Sequence, residues 1–201
     1  MVIFGIPITV SRLKKLYIGT ISDRVSGLFD LDLDYTGKSI LDVGCNIGMV
    51  SYEISKSQPK FIHGIDSYRP AINIARNIFM GVGAESEFHA VDLANDRALH
   101  RVLKPQYDIV IMLSVWQHLK NAEGEQKAAE ITRELAGRCE GYFLARNPMT
   151  EEEEFNAILE EIGFSLVGYS PAVGYDSVTF GPPTPTARMT RVTLLQAPPR
   201  G

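Results

Sequence analysis

Residues 39–55, SILDVGCNIGMVSYEIS, decide the fold. Ser39 to Gly44 is a short apolar run interrupted by a single carboxylate, Asp42, and it reads as a buried strand. Gly44 and Gly48 bracket a turn, after which Met49 opens a helical pattern. Strand, glycine turn and helix in that order bring bare backbone to a helix N-terminus, where a ligand can sit close to the main chain. A side chain at either glycine is expected to occupy ligand space. A nicotinamide or flavin enzyme uses a similar turn, so the surrounding residues have to separate the readings.

Outward from the turn, short apolar runs alternate with helical patterns, which is the form of a parallel sheet wrapped by crossover helices. Seven strands are predicted: Ser39 to Gly44, Phe61 to Asp66, Glu87 to Asp92, Tyr107 to Ser114, Gly141 to Arg146, Phe164 to Tyr169 and Arg191 to Gln196. Ala71, Ile74, Ala75 and Ile78 predict a helix after the second strand, with Ser67 as its cap and Pro70 in its first turn. Thr150 and Glu153 have capping-box spacing, and the acidic run Glu151 to Glu154 reads as a solvated, dipole-matched face rather than a metal site. Residues 170–186 carry four prolines and predict a long loop. Residues 1–37 predict a helical segment covering the cleft, ahead of an α/β domain over 38–201.

Composition narrows the function classes. A chain of 201 residues with 45% hydrophobic content buries one core. Its net charge of −4 and lack of a dense basic run argue against binding dominated by phosphate neutralisation, while leaving a local RNA patch open. Cys45 and Cys139 lack metal-site or disulfide spacing, so no metal is expected and a reducing cytoplasm fits. His63 and His89 alternate within strands and read as structural. The apolar opening VIFGIPITV holds a proline and is too short to span a membrane, so it reads as a docked segment without membrane contact.

Asp42 and Asn46 separate the readings of the turn. A carboxylate ahead of the turn suits a cationic amino-acid ligand and repels a pyrophosphate. Asn46, at the middle position, breaks the G-x-G-x-x-G fingerprint, yet asparagine takes positive φ readily. Asp66 ends the second strand about 20 residues beyond the turn, where a carboxylate can accept from both ribose hydroxyls.

The string LDVGCNIG resembles motif I of the class I S-adenosylmethionine-dependent methyltransferases, an acidic residue followed by alternating glycines. The resemblance runs from Ser39 to Asn147 through four motifs in order. It implies a Rossmann-like, seven-stranded, mostly parallel sheet of order 3-2-1-4-5-7-6, with the last strand antiparallel and helices on both faces. It implies S-adenosyl-L-methionine as cofactor, held by Asp42, Gly44, Cys45, Asn46, Gly48, Asp66, Ser67, Asp92, Leu93 and Ser114. Asp66 takes the ribose, Asp92 and Leu93 take adenine, and an ordinary helix cap is the competing role for Asp92. The resemblance also implies that the fourth-strand segment leading into VWQHL walls the transfer cleft. LDVGCNIG is also similar to RNA-cap and small-RNA methyltransferases, and the fourth strand to tRNA wobble-uridine-modifying enzymes. Asn147-Pro148 follows the fifth strand, not the fourth, which excludes the adenine-N6 and glutamine methyltransferase subclass.

His118, just past the fourth strand, is the candidate general base, with a helix-cap or core role as the alternative. Trp116, Asn147 and Tyr175 are candidate acceptor contacts, and packing alone is the competing role for Trp116. Tyr17, Tyr169, Tyr175 and Phe180 suggest an aromatic lid. The expected activity is methyl transfer to an oxygen or nitrogen of a small molecule, with RNA as a further acceptor class. The other readings are a nicotinamide-dependent oxidoreductase and a catalytically silent cofactor-binding partner module.

Overall fold

The computed structural model describes residues 27–175 and 188–199, together with Val25 and the two-residue strands Val2–Ile3 and Ile6–Pro7, which pair antiparallel. The main sheet is built from β1 (Ser39–Val43), β2 (Phe61–Asp66), β3 (Ser86–Ala90), β4 (Tyr107–Leu113), β5 (Cys139–Pro148), β6 (Ser165–Tyr169) and β7 (Arg188–Gln196). Their spatial order is β3-β2-β1-β4-β5-β7-β6, as the resemblance implies. The first five strands are parallel, and β7 runs antiparallel to both of its neighbours.

The central strands are continuous apolar runs because both faces of the sheet are covered. On one face Leu41, Val43, Ile65, Val110, Met112 and Phe143 meet α3 (Asp96–Val102), α4 (Trp116–Glu123), α5 (Glu125–Ala136) and α6 (Glu152–Glu160). On the other, Ile40, Ile109, Ile111 and Leu144 meet Ile54 of α1 (Met49–Ser55), and Ile62 and Phe88 meet Ile72, Ala75 and Phe79 of α2 (Arg69–Phe79). Leu28 and Tyr35 join this second layer.

Several expectations are corrected. The predicted loop after β6 contributes an eighth, three-residue strand, Val173–Tyr175, that pairs with Arg188–Thr190 and prolongs the antiparallel edge. Residues 27–37 form turns and extended chain rather than helix, and the helical expectation for residues 8–24 lies outside the described residues. Ser67 does not cap α2, whose N-cap is Tyr68 with no side-chain cap bond. Thr150 forms no capping box, because α6 starts one residue beyond the N-cap Glu151. Nor is the acidic run a solvated face. Glu152 is buried, its carboxylate taking Arg191 Nε at 2.9 and 3.1 Å and Thr193 Oγ1 at 3.1 Å, while Glu151 and Glu154 flank Lys120. Hydrogen-bonded partners across β7 make that burial tolerable.

Phe155 anchors α6 to the sheet, edge-on to Trp116 at 5.5 Å and tilted against Phe143 at 6.1 Å. Phe155→Ala is expected to lower unfolding free energy by about 3–5 kcal/mol in urea titration; a loss below about 1 kcal/mol would contradict this packing.

Candidate functional site

The turn after β1 is left-handed at three residues, with φ of 71° at Gly44, 52° at Asn46 and 77° at Gly48. Asparagine at the middle position therefore adopts the conformation expected of it. The positive φ of both glycines is the tight turn expected of them, and packing adds a second reason for them. A Cβ on Gly44 would meet Val115 Cγ2 at 2.5 Å, and one on Gly48 would meet Ala75 Cβ at 3.2 Å. Close packing against the chain after β4 leaves no room for a side chain at Gly44, and packing against α2 leaves little at Gly48, so the turn's main chain is held in place.

Hydrogen bonds tie the turn to β2. Gly44 N and Cys45 N both donate to Ile65 O, at 2.8 and 3.0 Å. Asn46 N donates to Asp66 Oδ2 at 2.9 Å, and Tyr68 N donates to Asp66 Oδ1 at 2.8 Å. Each carboxylate oxygen of Asp66 thus accepts one main-chain donor and keeps a further lone pair, so two adjacent hydroxyls can be bound from the open side. Val91 N donates to Asp66 O at 2.9 Å, which brings the chain after β3 to the same place.

Asp42 lies behind this surface rather than on it. It is buried, and Ser51 Oγ donates to its Oδ2 at 2.6 Å. Burial pushes its carboxyl up to about 7, against the Ser51 hydrogen bond and with Asp66 adding repulsion. Cys45 is also buried, packed with Ile62 and Phe88, and its thiol is raised by burial and by the two nearby carboxylates, so it is no nucleophile.

Ser114, left-handed at φ 60°, follows β4 directly and donates its N–H to Arg146 O at 2.8 Å, so it lies beside the end of β5 and next to Val115, which packs on Gly44. Asn147 follows Arg146 on β5 and is buried with Oδ1 unpartnered, as is Thr190 Oγ1 on the facing strand. Asp92 lies two residues beyond β3; its exposed carboxylate accepts from Ala94 N at 3.0 Å, and the cap of α3 is Asn95 instead. Leu93 is buried and Ser67 exposed beside Asp66. Trp116 is wholly buried against Phe155 and serves the core, which corrects its reading as an acceptor contact. His118 has an exposed side chain on α4. Tyr175 lies in the short strand pairing with β7, and its side chain falls outside the described residues, as do Tyr17 and Phe180.

Sequence reasoning missed the buried Glu152–Arg191 pair and the left-handed turn at Ser114. Neither leaves a local signal, since the first joins residues far apart in the chain and the second is a serine in a glycine-like conformation. A groove of about 480 Å³, lined in part by Glu140, Gly163, Gln196 and Pro198, opens where β5 begins and β7 ends, and contains none of the candidate residues. No helix among the described residues is long and apolar enough to cross a membrane.

Known proteins are similar to this chain in sequence and in fold. The family model described as a methyltransferase domain matches residues 14–130. A ubiquinone biosynthesis O-methyltransferase from Salmonella arizonae is 27% identical over 112 residues, covering 56% of this chain and 42% of that protein. The U6 snRNA methylphosphate capping enzyme Amus of Drosophila melanogaster is 30% identical over 108 residues, covering 47% of this chain and 36% of its own. The chain thus spans about two-fifths of these curated relatives. In fold it is similar to the N-methyltransferase NodS from Bradyrhizobium japonicum in complex with S-adenosyl-L-homocysteine, with a TM-score of 0.68, 16% identity, and coverage of 92% of this chain and 91% of that one.

The raised carboxyl of Asp42 yields a sign-specific expectation. Its folded value of about 7 lies above the ordinary 3.8, so between those values the folded state binds more protons than the unfolded chain. The linked stability is present at low pH and is lost as pH rises toward 7. Asp42→Asn, which keeps an acceptor for Ser51, should flatten this fall in denaturation curves from pH 5 to 8; parallel curves for the two proteins would contradict it.

Proposed function

Because the chain belongs to the class I S-adenosylmethionine-dependent methyltransferase superfamily, we propose that it binds S-adenosyl-L-methionine and transfers the methyl group to an oxygen or nitrogen of a small molecule. The observation that carries this reading is Asp66, which bridges the glycine turn and α2 while leaving acceptor capacity on both oxygens. That arrangement fits a ribose diol, and the open main chain of the turn at residues 44–48 fits the amino-acid end of the ligand.

Bound there, the sulfonium supplies an already activated methyl group. The protein's task is to hold an acceptor in line and to exclude water. Asp66 grips the sugar, Asp92, Leu93 and Ser67 border the base, and Ser114 lines the side toward β4. Asp42 acts from behind, through Ser51 and through the negative field it adds once ionised. Asn147 and Thr190, buried with unpartnered oxygens at the ends of β5 and β7, orient the acceptor by accepting its donors. His118 serves as base where the acceptor must lose a proton, and its exposure lets it return that proton to solvent. Acceptor choice falls, in this proposal, to the N-terminal segment and to the stretch 170–186, whose sequences are the least patterned of the chain.

A small-molecule acceptor is favoured by the net charge of −4. RNA is the second acceptor class, supported by the similarity to the capping enzyme. The two buried free cysteines suit a cytoplasmic protein.

Calorimetric titration with S-adenosyl-L-methionine and S-adenosyl-L-homocysteine tests the reading, and saturable binding of both is expected. Absence of binding at high micromolar ligand, or binding of reduced nicotinamide cofactor in its place, would overturn it. Label transfer from methyl-labelled cofactor into extract of the source cell is expected as well; binding without transfer would indicate a silent partner module.

A further inference from the structure

At the β3 edge, two histidines and a glutamate converge where the cofactor reading does not use them. His63 on β2 pairs with Glu87 on β3 in the parallel ladder, and His89 pairs with Ile65, so all three side chains leave the same face of the sheet. One donor atom from each lies within 4.8 Å of the other two. His63 and His89 meet edge-on with ring centroids 5.1 Å apart, and His89 Nε2 lies 3.4 Å from Glu87 Oε2.

His63 is the unusual member. It is fully buried, its Nδ1 is hydrogen-bonded with the Tyr107 hydroxyl, and its Nε2 has no partner. A buried polar atom left unsatisfied is costly, so an imidazole kept in this state calls for a ligand at Nε2. We propose that His63, Glu87 and His89 form a binding site for a divalent transition metal of the zinc class, with solvent completing the coordination.

Two imidazoles and one carboxylate are a donor set that zinc-class ions accept. In the tautomer that donates Nδ1–H to Tyr107 Oη, the Nε2 lone pair faces the metal and the ring is fixed in orientation. Bonds of about 2.0–2.1 Å require the donor atoms to close by roughly an ångström. Glu87 and His89 are 43% and 34% exposed, so their side chains have room to make that movement.

Lys104 opposes the site, with Nζ 3.0 Å from Glu87 Oε2. Both partners of that pair are substantially exposed, and such pairs contribute little. Lys104 Nζ also lies 5.4 Å from the Phe61 ring, which gives it an alternative resting place when the metal takes Glu87.

The test titrates untagged, metal-free full chain with zinc chloride by calorimetry and with cobalt chloride by visible absorption. One equivalent of each is expected to bind, with the d–d bands of a four-coordinate nitrogen and oxygen site and a rise in melting temperature. Glu87→Gln and His89→Ala, both at partly exposed positions, should each weaken zinc by at least about tenfold, as loss of even an outer ligand partner does in such sites. Lys104→Met should tighten it. Absence of saturable binding, or binding indifferent to both ligand substitutions, would overturn the proposal. Affinity for S-adenosyl-L-homocysteine, measured on the same samples, separates failure of this site from failure of the methyltransferase reading.

Discussion

The carboxylate of Asp66 takes one main-chain hydrogen bond on each oxygen, from Asn46 in the turn after β1 and from Tyr68 ahead of α2. Through it the two parallel strands at the centre of the site share one anchor, and the turn's left-handed backbone is held against the chain that follows β4. The sheet provides the rest of that constraint. Val43 pairs with Ile65 on one side and Met112 on the other, so β1, β2 and β4 end at a common carboxyl edge. In an open α/β sheet ligands bind at that edge, where strand order reverses on either side of β1. The hydrophobic layers on both faces keep it rigid, because neither face of the central strands reaches water.

Rigidity here rests on charge placement as well as packing. Asp42 is buried within hydrogen-bond reach of Ser51, so the turn sits above a carboxyl that resists ionisation. A cationic ligand end near this pair of aspartates favours the ionised form and is favoured by it in return. Farther along the same edge, Glu152 and Arg191 bind β7 to α6, and Arg191 stacks over the Tyr169 ring at 3.5 Å, closing the antiparallel side of the sheet next to Asn147. The adjoining ends of β5 and β7 therefore border charges that are already paired.

Much of this was legible in the residues. The strands from Ser39 to Arg146 announce themselves as apolar runs, since a sheet buried on both faces admits little else. Asp66 was legible because a carboxylate at a strand end, at a set distance beyond a glycine turn, has a geometric meaning. What escaped was decided by long-range partners. Glu152 reads as one of four equivalent acids, and only Arg191 and Thr193, on a strand near the chain's end, make it the buried one. Trp116 reads as a cleft residue until Phe155 covers it. His63, Glu87 and His89 show no ligand spacing along the chain, because the pairing of β2 with β3 is what assembles them. The short strand Val173–Tyr175 was hidden in a proline-rich stretch whose pairing with Arg188–Thr190 leaves no local pattern.

The central claim is that Asp66 holds the nucleoside sugar while the turn beside it receives the amino-acid end. Calorimetric titration of S-adenosyl-L-homocysteine into the native chain and into Asp66→Ala tests it most directly. The account predicts that the substitution lowers affinity by at least about tenfold, the loss of charge-assisted hydrogen bonds worth roughly 1.5–3 kcal/mol, in a protein that still unfolds cooperatively. Equal affinity in the two proteins, with both folded, would place the ligand elsewhere and contradict the account.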